Sequence, residues 1–375
     1  MSDVKVDLSA LAGFRLDLAD LGTAFSTNST RMLAGLALPA GTSGLLATVT
    51  PTLTDFQTAF TGLCGQDRVT LDTYSTTLAD NAAGYRAADG STAETLAGTG
   101  QSLAGAVGTE VTGSDGGVSR FTGLTLPNLT EEAEPPYTVG RTVTGMIEAI
   151  RAYDEILGEA IGMKPAADYL SPLVGDWEAL QGIGKRIRSL GINDFVTSQN
   201  LANGTAWLQL GWTGDSASAF GTAVTQLSQA VDTRGVDLDI VAKIVENGGL
   251  ALERHVYNQA VALAAAVIAP MTLLDMTLPL ATWASLVDEP IDEPTRSEIS
   301  TAIDNLKSTA ESGKNTVTTL IDRINRALAY RPGQTAPTYN ATEFDLPDKA
   351  TVDLGTHRYG YNGNTWWEGS IASAT

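Results

Sequence analysis

The chain has 375 residues, 43% of them hydrophobic, so it is long enough for two or three domains and can bury a substantial core. Its 43 acidic and 23 basic residues give a formal charge of -20 at pH 7, which argues against a surface built to neutralise phosphates, so neither nucleic acid nor anionic lipid is an expected partner. A single cysteine, Cys64, excludes an intramolecular disulfide, and two histidines, His255 and His357, leave little for zinc or a hydrolytic triad.

The first residues, MSDVKVDLSALAGFRLDLADL, interleave acids with apolar residues. No basic stretch leads into an apolar run, so a cleavable signal peptide is not expected and export would use another route. From about Leu8 to Leu38 the apolar positions Leu11, Phe14, Leu18, Leu21 and Phe25 recur every three or four residues, the period of an amphipathic helix. The stretch LPAGTSG then breaks the pattern. A second run carries Phe56, Phe60, Leu63, Leu71, Tyr74, Leu78, Ala82 and Tyr85 on one helical face. Residues 1–100 therefore read as a helical hairpin with a long second arm.

Residues 101–140 are rich in Gly, Ser, Thr and Pro without sustained periodicity, and predict a mobile linker. A second helical region, 141–331, opens near Val143 and leads through INDFVTSQNLANGTAWLQL to GWTGDSASAF. Past Gly214, Asp215 or Ser216 is placed to cap a helix. Phe220, Val224, Leu227, Val231, Leu238, Val241 and Val245 continue that helix, with bends expected at Gly235 and at Gly248 and Gly249. The most apolar stretch, 256–286, is interrupted by Pro270, Asp275 and Pro279, so a buried helix followed by a kinked connector is expected in place of a membrane span. A last helix is predicted from Thr295 to Leu328, and the tail, 332–375, reads as irregular or as a short hairpin. The fold class is all-α: two elongated helical modules in one chain with a short irregular or β-containing tail.

Two short motifs stand out. Trp212 and Gly214 form W-x-G at a turn between periodic helices, where the glycine lets the backbone reverse and the indole projects into a neighbouring groove. Tyr85 and Asp89, four apart near the end of the first module's long helix, share one helical face as Y-x-x-x-D. The other candidates suggest no site. Asp288, Glu289, Asp292 and Glu293 are flanked by prolines and lack an EF-hand's ligand order, so a solvated turn is expected. Cys64 reads as a small core residue. The aromatics in HRYGYNGNTWWEGS suit a sugar or a partner, and equally suit packing of a small terminal element.

A helical hairpin ending in Y-x-x-x-D, followed by a helical region with W-x-G at its turn, resembles the WXG superfamily of substrates of the type VII (ESX) secretion system of actinobacteria. The first hundred residues resemble the EspC-like secreted proteins, and residues 143–270 resemble the WXG/PPE-like delivery region. The resemblance implies a composite export signal, with Trp212 and Gly214 as one half and Tyr85 and Asp89 as the other, and it implies a secretion ATPase and a secretion chaperone as partners. It further implies a secreted or envelope-associated protein; the residues themselves offer no catalytic set and no metal-ligand spacing, so neither an enzyme nor a metal or cofactor is expected. A homo-oligomer, a ring-forming or membrane-active assembly, and a toxin-delivery domain with its payload in or beyond the tail are the alternatives. The turn of the first hairpin departs from the pattern: it holds no tryptophan.

Overall fold

The carboxylate of Asp7 opens the first helix by accepting hydrogen bonds from the backbone N–H groups of Ser9 (2.9 Å) and Ala10 (3.1 Å). In the computed structural model, which describes residues 5–98, 118–127, 129, 136–350, 356–361 and 364–370, this helix, α1, spans Leu8–Ala34 and buries the predicted stripe from Leu11 to Phe25. After the glycine-containing turn, α2 spans Thr50–Gly98. Its sequence is rich in threonine, a weak helix former, so the helix depends on tertiary packing. Phe56 and Phe60 are buried and stack at 4.4 Å, and each such side chain removed from water contributes roughly 1.5–3 kcal/mol. The threonine hydroxyls of Thr54, Thr61 and Thr73 meanwhile donate to carbonyls one turn back.

The second region contributes α3 (Val139–Ile150), α4 (Asp154–Ile161), α5 (Ala179–Gln209) and α6 (Asp215–Ile268). The long helix α6 packs on α5, α3 and on α8 (Glu293–Leu328), while α1 packs on both α2 and α5. Gly235 does not break α6, which runs through it as one helix. It also serves close approach: a Cβ there would lie 3.0 Å from the carbonyl oxygen of Gly191 on α5, and a Cβ on Gly191 would lie 2.9 Å from that of Gly235.

The fold is all-α with small strand-containing elements, as the periodicity predicts, and residues of both modules belong to one contiguous buried cluster. Beside the Gly191 and Gly235 contact, Arg234 of α6 is buried with its guanidinium on both carboxylate oxygens of Asp194 (2.6 and 2.8 Å) and on Asp67 of α2 (2.6 Å). Burial of a charge is tolerated here because the fork is matched by two carboxylates. The cluster ties the first hairpin to the second region.

Part of the expected mobile linker is held in place. Arg120 reaches Asp17 (2.7 Å) and Asp20 (2.5 Å) on α1, and the backbone N–H of Phe121 donates to Asp17 (2.9 Å). Asn200 of α5 bonds both backbone groups of Thr125, accepting from its N–H (3.0 Å) and donating to its carbonyl (2.7 Å). The reason is chemical: an irregular segment must satisfy its backbone groups, and here the Asp and Asn side chains of two helices do so. Residues 101–117, 128 and 130–135 of that linker lie outside the described residues.

The connector in the apolar stretch is a β-hairpin, β1 (Pro270–Leu273) paired antiparallel with β2 (Met276–Pro279). Its turn places Leu274 (φ 51°) and Asp275 (φ 62°) in the left-handed region. Pro270 pairs with Pro279, which removes two N–H donors and shortens the strand edges available for pairing. A short helix, α7 (Leu280–Ala284), with buried Trp283, leads towards α8. In the tail, Phe344 is buried and stacks with Tyr339 (5.8 Å), whose hydroxyl accepts from Asn247 of α6 (2.8 Å). A backbone hairpin follows, β3 (Thr356–Tyr361) against β4 (Asn364–Ser370).

Candidate functional site

The turn between α5 and α6 brings the two sequence motifs together. Trp212 is 1% exposed, and its ring lies 5.6 Å from that of Phe220, one turn into α6. Phe220 in turn meets the Tyr74 ring edge-on at 5.8 Å, and the Tyr74 hydroxyl donates to the carbonyl of Ala223 (2.9 Å). Burial pushes the Tyr74 phenol above its ordinary pKa. These contacts turn the indole towards α2, where its Nε1–H donates to the hydroxyl of Tyr85 at 3.2 Å.

Gly214 has φ 106° and ψ -175°, a conformation that favours glycine, and it is the residue that caps α6. The expected side-chain cap is absent: Asp215 sits in the first turn, and Gly214 makes no side-chain bond to the free amides. A carboxylate in that position still favours the positive pole of the helix. Asp89 is exposed, one turn beyond Tyr85, and among the described residues it has no hydrogen-bond or ion-pair partner. The tip thus joins Tyr85 to Trp212 and leaves the carboxylate of the Y-x-x-x-D motif in water.

A third segment completes the tip. Lys5, Val6 and Asp7 run antiparallel to Gly211, Trp212 and Thr213, with Val6 opposite Trp212. The N–H of Asp7 donates to the carbonyl of Gly211 (2.8 Å), and that of Thr213 donates to the carbonyl of Lys5 (2.9 Å). The Lys5 N–H donates to the Thr213 hydroxyl (3.0 Å). Sequence reasoning missed this strap, because three residues ahead of a helix carry no period; the only local hint was the alternation of Val4, Val6 and Leu8.

The remaining candidates separate from the tip. Asp288, Glu289, Asp292 and Glu293 are exposed, and no cluster of His, Cys, Asp or Glu suited to a metal occurs among the described residues. Cys64 is buried, and burial raises its thiol pKa to about 11, which makes it a poor nucleophile at neutral pH. His255 lines a cleft with Glu311, Asn315 and Glu343 between α6, α8 and the tail. Burial holds its imidazole below the usual histidine range. The side chains of His357 and of the aromatics in HRYGYNGNTWWEGS lie outside the described residues.

The tip therefore holds a tryptophan fixed by packing and by one hydrogen bond to Tyr85, with the exposed carboxylate of Asp89 one turn further along α2. Comparison with protein-family models, curated proteins and solved structures finds no match to this chain.

Proposed function

We propose that the chain is a substrate of an actinobacterial type VII (ESX) secretion system, acting as a non-enzymatic effector outside the cell or at its envelope. The observation that carries this reading is the hydrogen bond from Trp212 Nε1 to the Tyr85 hydroxyl. It joins the W-x-G of one module to the Y-x-x-x-D of the other, the juxtaposition that a composite signal requires. Gly214 supplies the turn, and Asp89 supplies the solvent-facing charge that a secretion ATPase reads. No described helix is long and apolar enough to cross a membrane, which is compatible with passage of a folded bundle. A secretion chaperone is the second expected partner.

The test is the fraction of protein in culture filtrate against cell lysate for wild type, Tyr85→Ala, Asp89→Ala and Trp212→Ala, in an actinobacterial host with and without its type VII ATPase. Export that needs the ATPase, Trp212 and both residues of Y-x-x-x-D, from variants that remain helical by circular dichroism, supports the reading. Retention of the wild type in the cell, or release regardless of the ATPase, refutes it.

A further inference from the structure

Trp212 is 1% exposed, so no partner touches its ring while the tip stays closed. What lies along the turn is the chain's own strap. The Val6 and Trp212 pair is flanked by the hydrogen bonds from Asp7 to Gly211 and from Thr213 to Lys5. That is the close type of antiparallel pair, in which the two side chains lie nearest each other. The Lys5 ammonium donates to the carbonyl of Leu210 at 2.6 Å, at the negative pole of α5. Gly211 suits this contact: the three atoms nearest to a Cβ built there belong to Asp7 and Ala10, with the Asp7 Cβ at 3.0 Å. Yet the strap is held lightly. Lys5 and Asp7 are exposed and Val6 is only partly buried, whereas α2 and α6 meet at the tip through the rings of Tyr74, Phe220 and Trp212. A segment with little buried apolar area opens at lower free energy than the bundle on which it lies.

We propose that residues 5–7 are a displaceable cover: they leave the W-x-G turn while the helices stay folded, and they keep the turn from the secretion ATPase until they have left. The open turn presents the carbonyl of Gly211 and the N–H of Thr213, the two groups that the strap now pairs, so the segment that replaces it is an extended strand. The gating rests on the reading of this tip as an export signal. The opening does not, and is tested apart from it.

Amide hydrogen exchange of the full-length protein tests the opening. The N–H groups of Asp7 and Thr213 are expected to exchange together, about tenfold or more faster than that of buried Val224 within α6. Lys5→Met is expected to speed both by about threefold to tenfold, the effect of losing one hydrogen bond from a charged group near the surface. Lys5→Arg, which keeps the cation, should restore the wild-type rates. Exchange of Asp7 and Thr213 as slow as that of Val224 overturns the cover. The gate is tested by the exported fraction of wild type, Gly211→Ala, Lys5→Met and Trp212→Ala, with the thermal midpoint of each purified protein. Gly211→Ala crowds Asp7 off the turn and is expected to raise export about threefold or more, as the open population grows. Lys5→Met, which loosens the strap without entering the turn, should move export in the same direction. If both variants export no more than wild type while their exchange shows the strap open, the gate is overturned and the export signal stands. If Trp212→Ala also exports normally, the reading of the tip falls and the gate falls with it, while exchange alone decides the cover.

Discussion

Trp212 donates its indole N–H to the hydroxyl of Tyr85, 3.2 Å away and 127 residues distant in the chain. The bond crosses between the two helical regions at one end of the bundle, and it rests on a layered set of contacts: Phe220 behind the indole, Tyr74 behind Phe220, and the Lys5 to Asp7 strap along the turn. Tyr85→Phe removes the acceptor and keeps the ring. It is expected to cost about 1 kcal/mol by leaving the buried indole N–H unpaired. Trp212→Ala is expected to cost about 3–5 kcal/mol, as for other large-to-small changes in a core. Urea denaturation of both variants checks the order, and equal losses would contradict this account of the tip.

The Arg234 cluster gives a second expectation. Arg234→Met leaves Asp194 and Asp67 facing each other without their cation and should destabilise by about 3–5 kcal/mol. The triple variant Arg234→Met, Asp194→Leu, Asp67→Leu removes the buried charges together and should recover most of that loss in chemical denaturation. A triple variant no more stable than the single one would show that the cluster contributes more than mutual neutralisation.

Leu274 and Asp275 both hold positive φ at the tip of the β1 and β2 hairpin, in the pattern that an Asn-Gly pair adopts with little strain. The double change Leu274→Asn, Asp275→Gly should stabilise the hairpin by about 1 kcal/mol, since Leu274 is exposed and gives up no core contact. Hydrogen exchange at Leu273 and Met276, which face each other across the turn, should slow. Faster exchange would mean that the leucine stabilises the turn in a way the backbone does not reveal.

His255 sets a pH dependence. Burial lowers its pKa from 6.5 in the folded chain, so the unfolded chain binds a proton more readily. Its contribution to stability is therefore present above about pH 6.5 and is lost as pH falls through the lowered folded value. Glu311 and Glu343 line the same cleft. His255→Gln should flatten the decline of the urea midpoint below that pH. An unchanged pH profile would mean that other groups govern it.

Much of the helical layout was legible because its signal is local. The stripe from Leu11 to Phe25 buries as one face, and the last helix, expected from Thr295, begins at Glu293. Glycine has a second use that the helical period does not reveal: Gly235, read as a bend, also lets α5 approach within van der Waals reach. Composition misled in the connector, where Gly, Ser and Pro suggested mobility but Asp17 and Asn200 supply the backbone partners that hold residues 118–127. Asp215 looked like a cap because its residue type caps well, yet the φ of Gly214 had already placed the cap one residue earlier.

The sequence by itself determined that this chain forms long amphipathic helices, that W-x-G falls at a turn between two of them, and that Tyr85 lies on the apolar face of its helix. Each of these follows from residues a few positions apart, over which the helix period and the freedom of glycine act. Only the tertiary structure decided that the two modules share one buried cluster, that Tyr85 rather than Asp89 meets Trp212, and that Lys5 donates to the carbonyl of Leu210. Those outcomes depend on how helices rotate and approach across more than a hundred residues of chain, and close packing, with the pairing of buried polar groups, settles that where local period cannot.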